Sequence, residues 1–154
     1  MACDVELRDL LPHLSSVLVE TAETDGALIR ITARTADTVP VSCPACGQPS
    51  EWEHSRYVRR VADDAIGGRP VMINVWVRRL YCENHGCAKT TFVEQVDGLL
   101  TERYQCRTPA LRRVVEACAV VLAGSAAARL LTVLHQTLTL ATVLNCLIRP
   151  PRSA

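Results

Sequence analysis

The sequence predicts an α+β protein. Three observations carry that reading. Apolar and polar side chains alternate with period two through much of the first hundred residues. Two close-spaced cysteine pairs sit among turn residues in the same part. From Thr101 onward the apolar spacing becomes helical. The 154 residues are 49% hydrophobic and 21% charged, the composition of a globular chain with enough apolar surface for one ordinary domain or two small ones.

Taken in order, residues 15–22 and 27–35 read as two strands joined at Asp25-Gly26, a strong turn dipeptide. In the second, Ile29, Ile31 and Ala33 alternate with Arg30, Thr32 and Arg34, so one face is buried and the other polar. Residues 39–41 lead into the turn Cys43-Pro-Ala-Cys46-Gly. Residues 51–61 and 70–81 form a second strand pair, with Asp63, Asp64, Gly67 and Gly68 read as the solvated link between them. Val71, Ile73, Val75 and Val77 give its second strand a clear apolar face, and residues 90–96 add a short extended piece. Leu111, Val114, Val115, Cys118 and Leu122 then share one side of a helix that Gly124 ends. Ser125 caps a second helix with Leu130, Leu131 and Leu134 inward. A third, capped by Thr137 or Thr139, carries Leu140, Val143, Leu144 and Leu147 and stops at Pro150-Pro151.

The cysteine pairs are the sharpest chemical signal. Cys43-x2-Cys46 and Cys82-x4-Cys87 each place two thiolates on one tight turn, and two such knuckles supply the four ligands of tetrahedral zinc. The 35 residues between the pairs suit a β-hairpin that leaves one knuckle and returns to the other, as in a zinc ribbon. His85 is an alternative ligand for Cys82 or Cys87. A closed site of four thiolates has no open position for substrate or water, so the zinc is expected to be structural. Cys118 and Cys146 fall on apolar helix faces as core thiols, and His13, His54 and His135 stand without partners in the sequence. No phosphate-binding loop, dinucleotide fingerprint or nucleophile elbow is present, which argues against an enzyme.

Formal charge is +1, with an acidic start: residues 1–42 hold three Arg against seven acids, whereas 43–113 hold eleven basic residues against eight. Lys89 is the sole lysine, so the cationic surface is built from Arg, the cation suited to phosphate and base edges. Arg56, Arg59, Arg60, Arg69, Arg78 and Arg79 on the second hairpin, with Arg107, Arg112 and Arg113 at the first helix, form a candidate DNA-contacting stripe. Tyr57, Trp76, Tyr81 and Tyr104 are interleaved with it. Residues 1–11 contain three acids and no apolar run, so no secretory signal is read and a cytoplasmic, reducing compartment is expected. Residues 130–148 lack formal charge, but His135, Gln136, Asn145 and four Thr weaken a membrane reading in favour of buried helices.

An ordered set of segments resembles the N-terminal region of bacterial insertion-sequence transposases (ISL-type), in which a zinc finger and a helix-turn-helix precede a DDE-type catalytic domain. The set runs Leu11-Pro-His-Leu14, Cys43-Pro-Ala-Cys46-Gly, His54-Ser-Arg-Tyr57, Gly68-Arg-Pro-Val71, Val77-Arg-Arg-Leu-Tyr-Cys82 and Cys87-Ala-Lys-Thr-Thr-Phe92, then Arg107-Thr-Pro-Ala-Leu111 and Ala128-Arg-Leu-Leu131. The resemblance implies recognition of mobile-element ends, with zinc on Cys43, Cys46, Cys82 and Cys87. The chain ends at Ala154 before any catalytic domain, so it is read as a truncated copy or isolated fragment without strand-transfer activity. One departure is that residues 140–148, the presumed recognition helix, contain no Arg or Lys.

The expected organisation is an acidic β-hairpin segment at 1–38, a zinc-ribbon-like module at 39–96 and a three-helix, helix-turn-helix-like segment at 97–154. The expected partner is double-stranded DNA at transposon ends, with a possible homo-oligomer through the C-terminal helices and no membrane. The rival readings are a protein-interaction or dimerisation module and a degenerate transposase remnant.

Overall fold

The computed structural model describes residues 7–97, 99, 105–122 and 124–136. A short helix α1 (Leu7–Leu10) and a 3-10 turn (Pro12–Leu14) lead into β1 (Leu18–Asp25) and β2 (Leu28–Arg34). Gly26 at φ +60° makes the tight reversal between them. Two short strands, β3 (Val41–Ser42) and β4 (Pro49–Ser50), pair with each other around the first cysteine knuckle. The long hairpin of β5 (Glu53–Ile66) and β6 (Arg69–Tyr81) follows, then β7 (Thr91–Val93), α2 (Pro109–Leu122) and α3 (Gly124–Val133).

One sheet dominates, in the order β1-β2-β6-β5, with β7 pairing the far end of β6. β2 runs parallel to β6 and the other pairings are antiparallel. That parallel pairing aligns Ile31 with Ile73 and Ala33 with Val75, while β5 sets Val61 opposite Ile73. Period-two alternation therefore gathers these residues, with Val71 and Val77, on one face. Leu14, Val17, Val96 and Leu99 cover it, and the whole set is buried. The Gly67-Gly68 turn has both φ values positive (56° and 75°), the two-residue geometry that matches strand twist.

Thr108 caps α2: its Oγ1 accepts the Leu111 backbone N–H at 3.2 Å, and Pro109 occupies the first helical position. α2 and α3 bury Leu111, Val115, Ala119, Ala127 and Leu131 between them, and Ala62 of β5 packs on that seam. Ala62 donates to the Cys106 carbonyl and accepts from Thr108 N–H, each at 2.9 Å, so the chain entering α2 is laced to the β5 edge.

This architecture corrects the expected fold class. A mostly β protein built on one mixed sheet replaces the expected α+β arrangement with its three-helix, helix-turn-helix-like segment. Only two helices longer than a turn are present among the described residues, and the expected third, at 137–148, lies outside them. The N-terminal hairpin is built into the sheet through β2 and β6, a non-local pairing that local periodicity does not signal. The helical apolar stripe is also narrower than expected: Val114, Leu122, Leu130 and Leu134 are exposed.

Asp63 is the other departure. It was expected in a solvated link, but β5 runs on to Ile66 and Asp63 lies 1% exposed. Its Oδ2 meets His13 Nε2 at 2.7 Å, its Oδ1 accepts from Thr108 Oγ1 at 2.7 Å, and its backbone carbonyl accepts from Gln136 Nε2 at 3.0 Å. The Asp63 carboxylate thus ties the N-terminal turn and the start of α2 to the sheet, and its main-chain carbonyl ties the segment that follows α3. The hydrogen bond to Asp63 raises the His13 pKa above its usual value. Burial pushes Asp63 up, but the bonds from His13 and Thr108 outweigh it and hold the carboxyl below its usual range.

Candidate metal centre and basic surface

The two knuckles are closed by main-chain bonds that the sequence anticipates. Gly47, at φ +73°, donates to the Cys43 carbonyl at 2.8 Å, and Cys43 N–H reaches the Gln48 carbonyl at 2.9 Å. On the other side Cys82 N–H bonds the Thr90 carbonyl at 2.9 Å and Cys87 N–H the Asn84 carbonyl at 3.0 Å. Asn84 Oδ1 accepts from Gly86 N–H at 2.9 Å, fixing the turn. Leu80 and Phe92 pack against Cys43 beneath the site.

These turns bring Cys43, Cys46, Cys82 and Cys87 together with every sulfur within 4.8 Å of the others. Cys43 to Cys87 is 4.0 Å and Cys46 to Cys82 is 3.6 Å. A zinc–sulfur bond of about 2.3 Å gives a tetrahedral sulfur–sulfur edge of about 3.8 Å, between the two values. His85 is not part of the cluster. The protons also favour a cation. Backbone N–H groups of Ala45 and Cys46 help lower the Cys43 thiol to about 7, whereas burial and the neighbouring thiols push Cys82 up to about 12. Four thiolates this close repel one another unless a divalent ion sits among them. The Lys89 N–H directed at Cys87 Sγ (3.4 Å) adds a donor suited to a bound thiolate. The donor set fits structural zinc.

The predicted DNA-contacting arginines separate into distinct groups. Arg78 is a correction: its side chain is 3% exposed and forms a two-pronged pair with Glu94, Nε to Oε2 at 3.1 Å and Nη2 to Oε1 at 2.8 Å. The Asp37 and Val39 carbonyls take further guanidinium protons at 3.1 and 2.9 Å. At this end of β6 the 37–39 loop and Glu94 cover the side chain, so it is a structural group withdrawn from solvent. Arg56 is held by Glu53 and Asp37 at 2.7 Å each, Arg59 donates to the Gln105 carbonyl, and Arg112 pairs with Glu116. Arg113 sits in the field of Asp64. Arg60, Arg69, Arg79 and Arg107 have no carboxylate partner among the described residues. Tyr57 packs against the core instead of joining the surface, and Tyr104 lies outside the described residues. Trp52, which sequence reading did not single out, is exposed, and its ring lies tilted against Tyr81 at 4.7 Å, with the His54 ring also tilted against Tyr81 at 4.9 Å.

A hairpin whose two ends carry cysteine knuckles defines a zinc ribbon. Residues 40–87, about a third of the chain, match the family described as the zinc-finger of transposase IS204/IS1001/IS1096/IS1165. The chain therefore contains a transposase-type zinc ribbon, with all four ligands inside the matched residues. No curated protein and no solved structure matches the chain. No helix among the described residues is long and apolar enough to cross a membrane.

Proposed function

We propose that this chain is a DNA-binding part of a transposase that recognises double-stranded DNA at the ends of a mobile element. The observation that carries the reading is the coincidence of the four-cysteine centre with the transposase zinc-finger match. Zinc cross-links the two ends of the long hairpin, and the rigid β surface then holds cations at fixed spacing. Arg60, Arg69, Arg79 and Arg107 are the groups offered to phosphates, because no acid among the described residues pairs with them. Binding is the chain's role, not strand chemistry. Four thiolates saturate zinc, and Asp63, half of the adjacent carboxylate pair, is committed to His13 and Thr108.

The test is selection of bound duplexes from a random pool, followed by affinity measurements on the enriched sequence across a salt series. Four phosphate contacts give a slope of log K against log salt of about −3.6. A pool without enrichment, together with a flat salt response, refutes the proposal.

A second reading, self-association, is favoured by one observation: Val120, Val121 and Val133 are 73%, 79% and 72% exposed on α2 and α3. Sedimentation velocity of the wild type against a Val120→Glu, Val121→Glu variant checks it. A dimer that survives the double substitution refutes this interface.

A further inference from the structure

The core occupies one face of the sheet; the opposite face is polar and carries a tryptophan at its middle. Strand register sets Asn74 between Thr32 of β2 and Arg60 of β5, and Trp76 between Arg34 and Val58. All of these lie on the side away from Ile73 and Val75. Ala62 of this face packs against the α2–α3 core. Trp76 remains 42% exposed, although a strand position in mid-sheet is where an indole would ordinarily be covered.

Charge on this face is graded. Arg60 has no acidic partner among the described residues, and Arg107, bridged beside Ala62, continues the same side past the β5 edge. The opposite edge, β1, carries the exposed acids Glu20, Glu23 and Asp25, of which Glu20 pairs with Arg34 at 3.0 Å and Asp25 with Arg30 at 2.9 Å. The cations left without an acid among the described residues therefore lie at the β5 margin, and a polyanion held there places its non-phosphate groups toward Trp76.

We propose that this open face binds unpaired nucleotides of a single strand, one base stacking on Trp76 while phosphates lie along Arg60 and Arg107. The inference rests on the nucleic-acid reading above for its partner class and shares Arg60 and Arg107 with it, but it adds the Trp76 face as a base-stacking site and assigns a different strand state. An exposed indole accepts any base, because every base offers a π face, and a flat strand surface is accessible to splayed bases but not to a stacked duplex.

The experiment uses the zinc-loaded full chain with fluorescein-labelled 15-nucleotide oligo(dT), 15-nucleotide oligo(rU) and a 15-base-pair duplex, read by anisotropy. Trp76→Ala is expected to weaken single-strand binding roughly tenfold and duplex binding less than about twofold. Arg60→Ala should lower the single-strand salt slope by about 0.7. In a Trp52→Phe chain the remaining Trp76 emission should fall when oligonucleotide is added. Binding of either oligonucleotide supports the inference, and the ratio of the two affinities identifies DNA or RNA as the source. Single-strand affinity unchanged in Trp76→Ala, or Trp76 emission unchanged on addition, overturns it. A chain that binds single strands but no duplex refutes the proposed function and leaves this inference standing. Duplex binding without single-strand binding does the reverse.

Discussion

Removing Glu94 should damage this fold more than removing any exposed arginine. In the Glu94→Ala protein the Arg78 guanidinium stays fully charged at 3% exposure and keeps only the Asp37 and Val39 carbonyls as partners. Stripping one member from a buried, hydrogen-bonded pair costs about 3–5 kcal/mol, because the remaining charge is left uncompensated. Domains of this size have about 5–15 kcal/mol in total, so the loss is a large share. With a urea dependence of about 2 kcal/mol/M, the midpoint should drop by about 1.5–2.5 M. Arg79→Ala is the control: the neighbouring side chain is exposed and has no carboxylate partner among the described residues, so its midpoint should move by less than about 0.3 M. The measurement is urea denaturation followed by far-UV circular dichroism on zinc-loaded protein. An Arg78→Met, Glu94→Leu double variant should recover much of the loss, since replacing both members of a buried pair with apolar groups is often neutral. If Glu94→Ala lies within about 1 kcal/mol of wild type, Arg78 reaches water and the structural role assigned to it is wrong.

Three further outcomes are expected. Elemental analysis should find about one zinc per chain, and chelation should raise hydrogen exchange first in the strands that carry the cysteines; a Cys43→Ala chain that folds with full zinc content would contradict the assigned ligands. The His13–Asp63 pair should make stability pH-dependent: His13 is raised, so its contribution is complete below about pH 6.5 and is lost as pH rises through the higher folded value. Asp63 is lowered, so its part is lost only in acid, as pH falls through its depressed value. Wild type should therefore lose urea stability as pH rises above about 6.5 and through the raised His13 value, and His13→Gln should flatten that profile; parallel profiles would remove the pair from the account. Pure protein with magnesium or manganese should neither nick nor join duplex DNA, and cleavage that vanishes in an Asp63→Ala, Asp64→Ala variant would overturn the binding-only assignment.

Both hairpins were legible because each element is defined by neighbours in sequence. Ile29, Ile31 and Ala33 alternate cleanly, as do Val71, Ile73, Val75 and Val77, and Asp25-Gly26 and Gly67-Gly68 mark the reversals. The zinc ligands were legible for the same reason, since each knuckle is a local turn whose spacing carries the chemistry. What stayed hidden depends on chain segments meeting across long separations. The parallel β2–β6 pairing joins residues more than forty positions apart, and nothing in either strand names the other. Arg78 looked like its exposed neighbour Arg79. Only the arrival of Glu94 and the 37–39 carbonyls turns one of them into a buried group.

Asp63 shows how a local preference can mislead even when a better signal is present. Two adjacent aspartates upstream of Gly67-Gly68 look like turn chemistry, and Asp is a turn-former. Yet Asp63 sits two residues beyond Val61, on the face that Val61 buries, and its partner across the hairpin is the buried Val71. Extending the period-two pattern by one step places the carboxylate inside. A carboxylate there needs donors, and the sequence held two candidates without assigned partners: His13, and the hydroxyl of Thr108 just ahead of Pro109. Both are 45 or more residues away in the chain, so alternation could have revealed the need but not which groups meet it. The same pattern, continued on the other face, leaves Trp76 outward among Arg34, Val58 and Arg60, 42% exposed among the described residues. A buried acid on the core face and an exposed indole on the other both obey this sheet's alternation, and each sets an unusual side chain on its face. The first is explained by the segments it holds together, and the second is the reason for assigning that face a ligand.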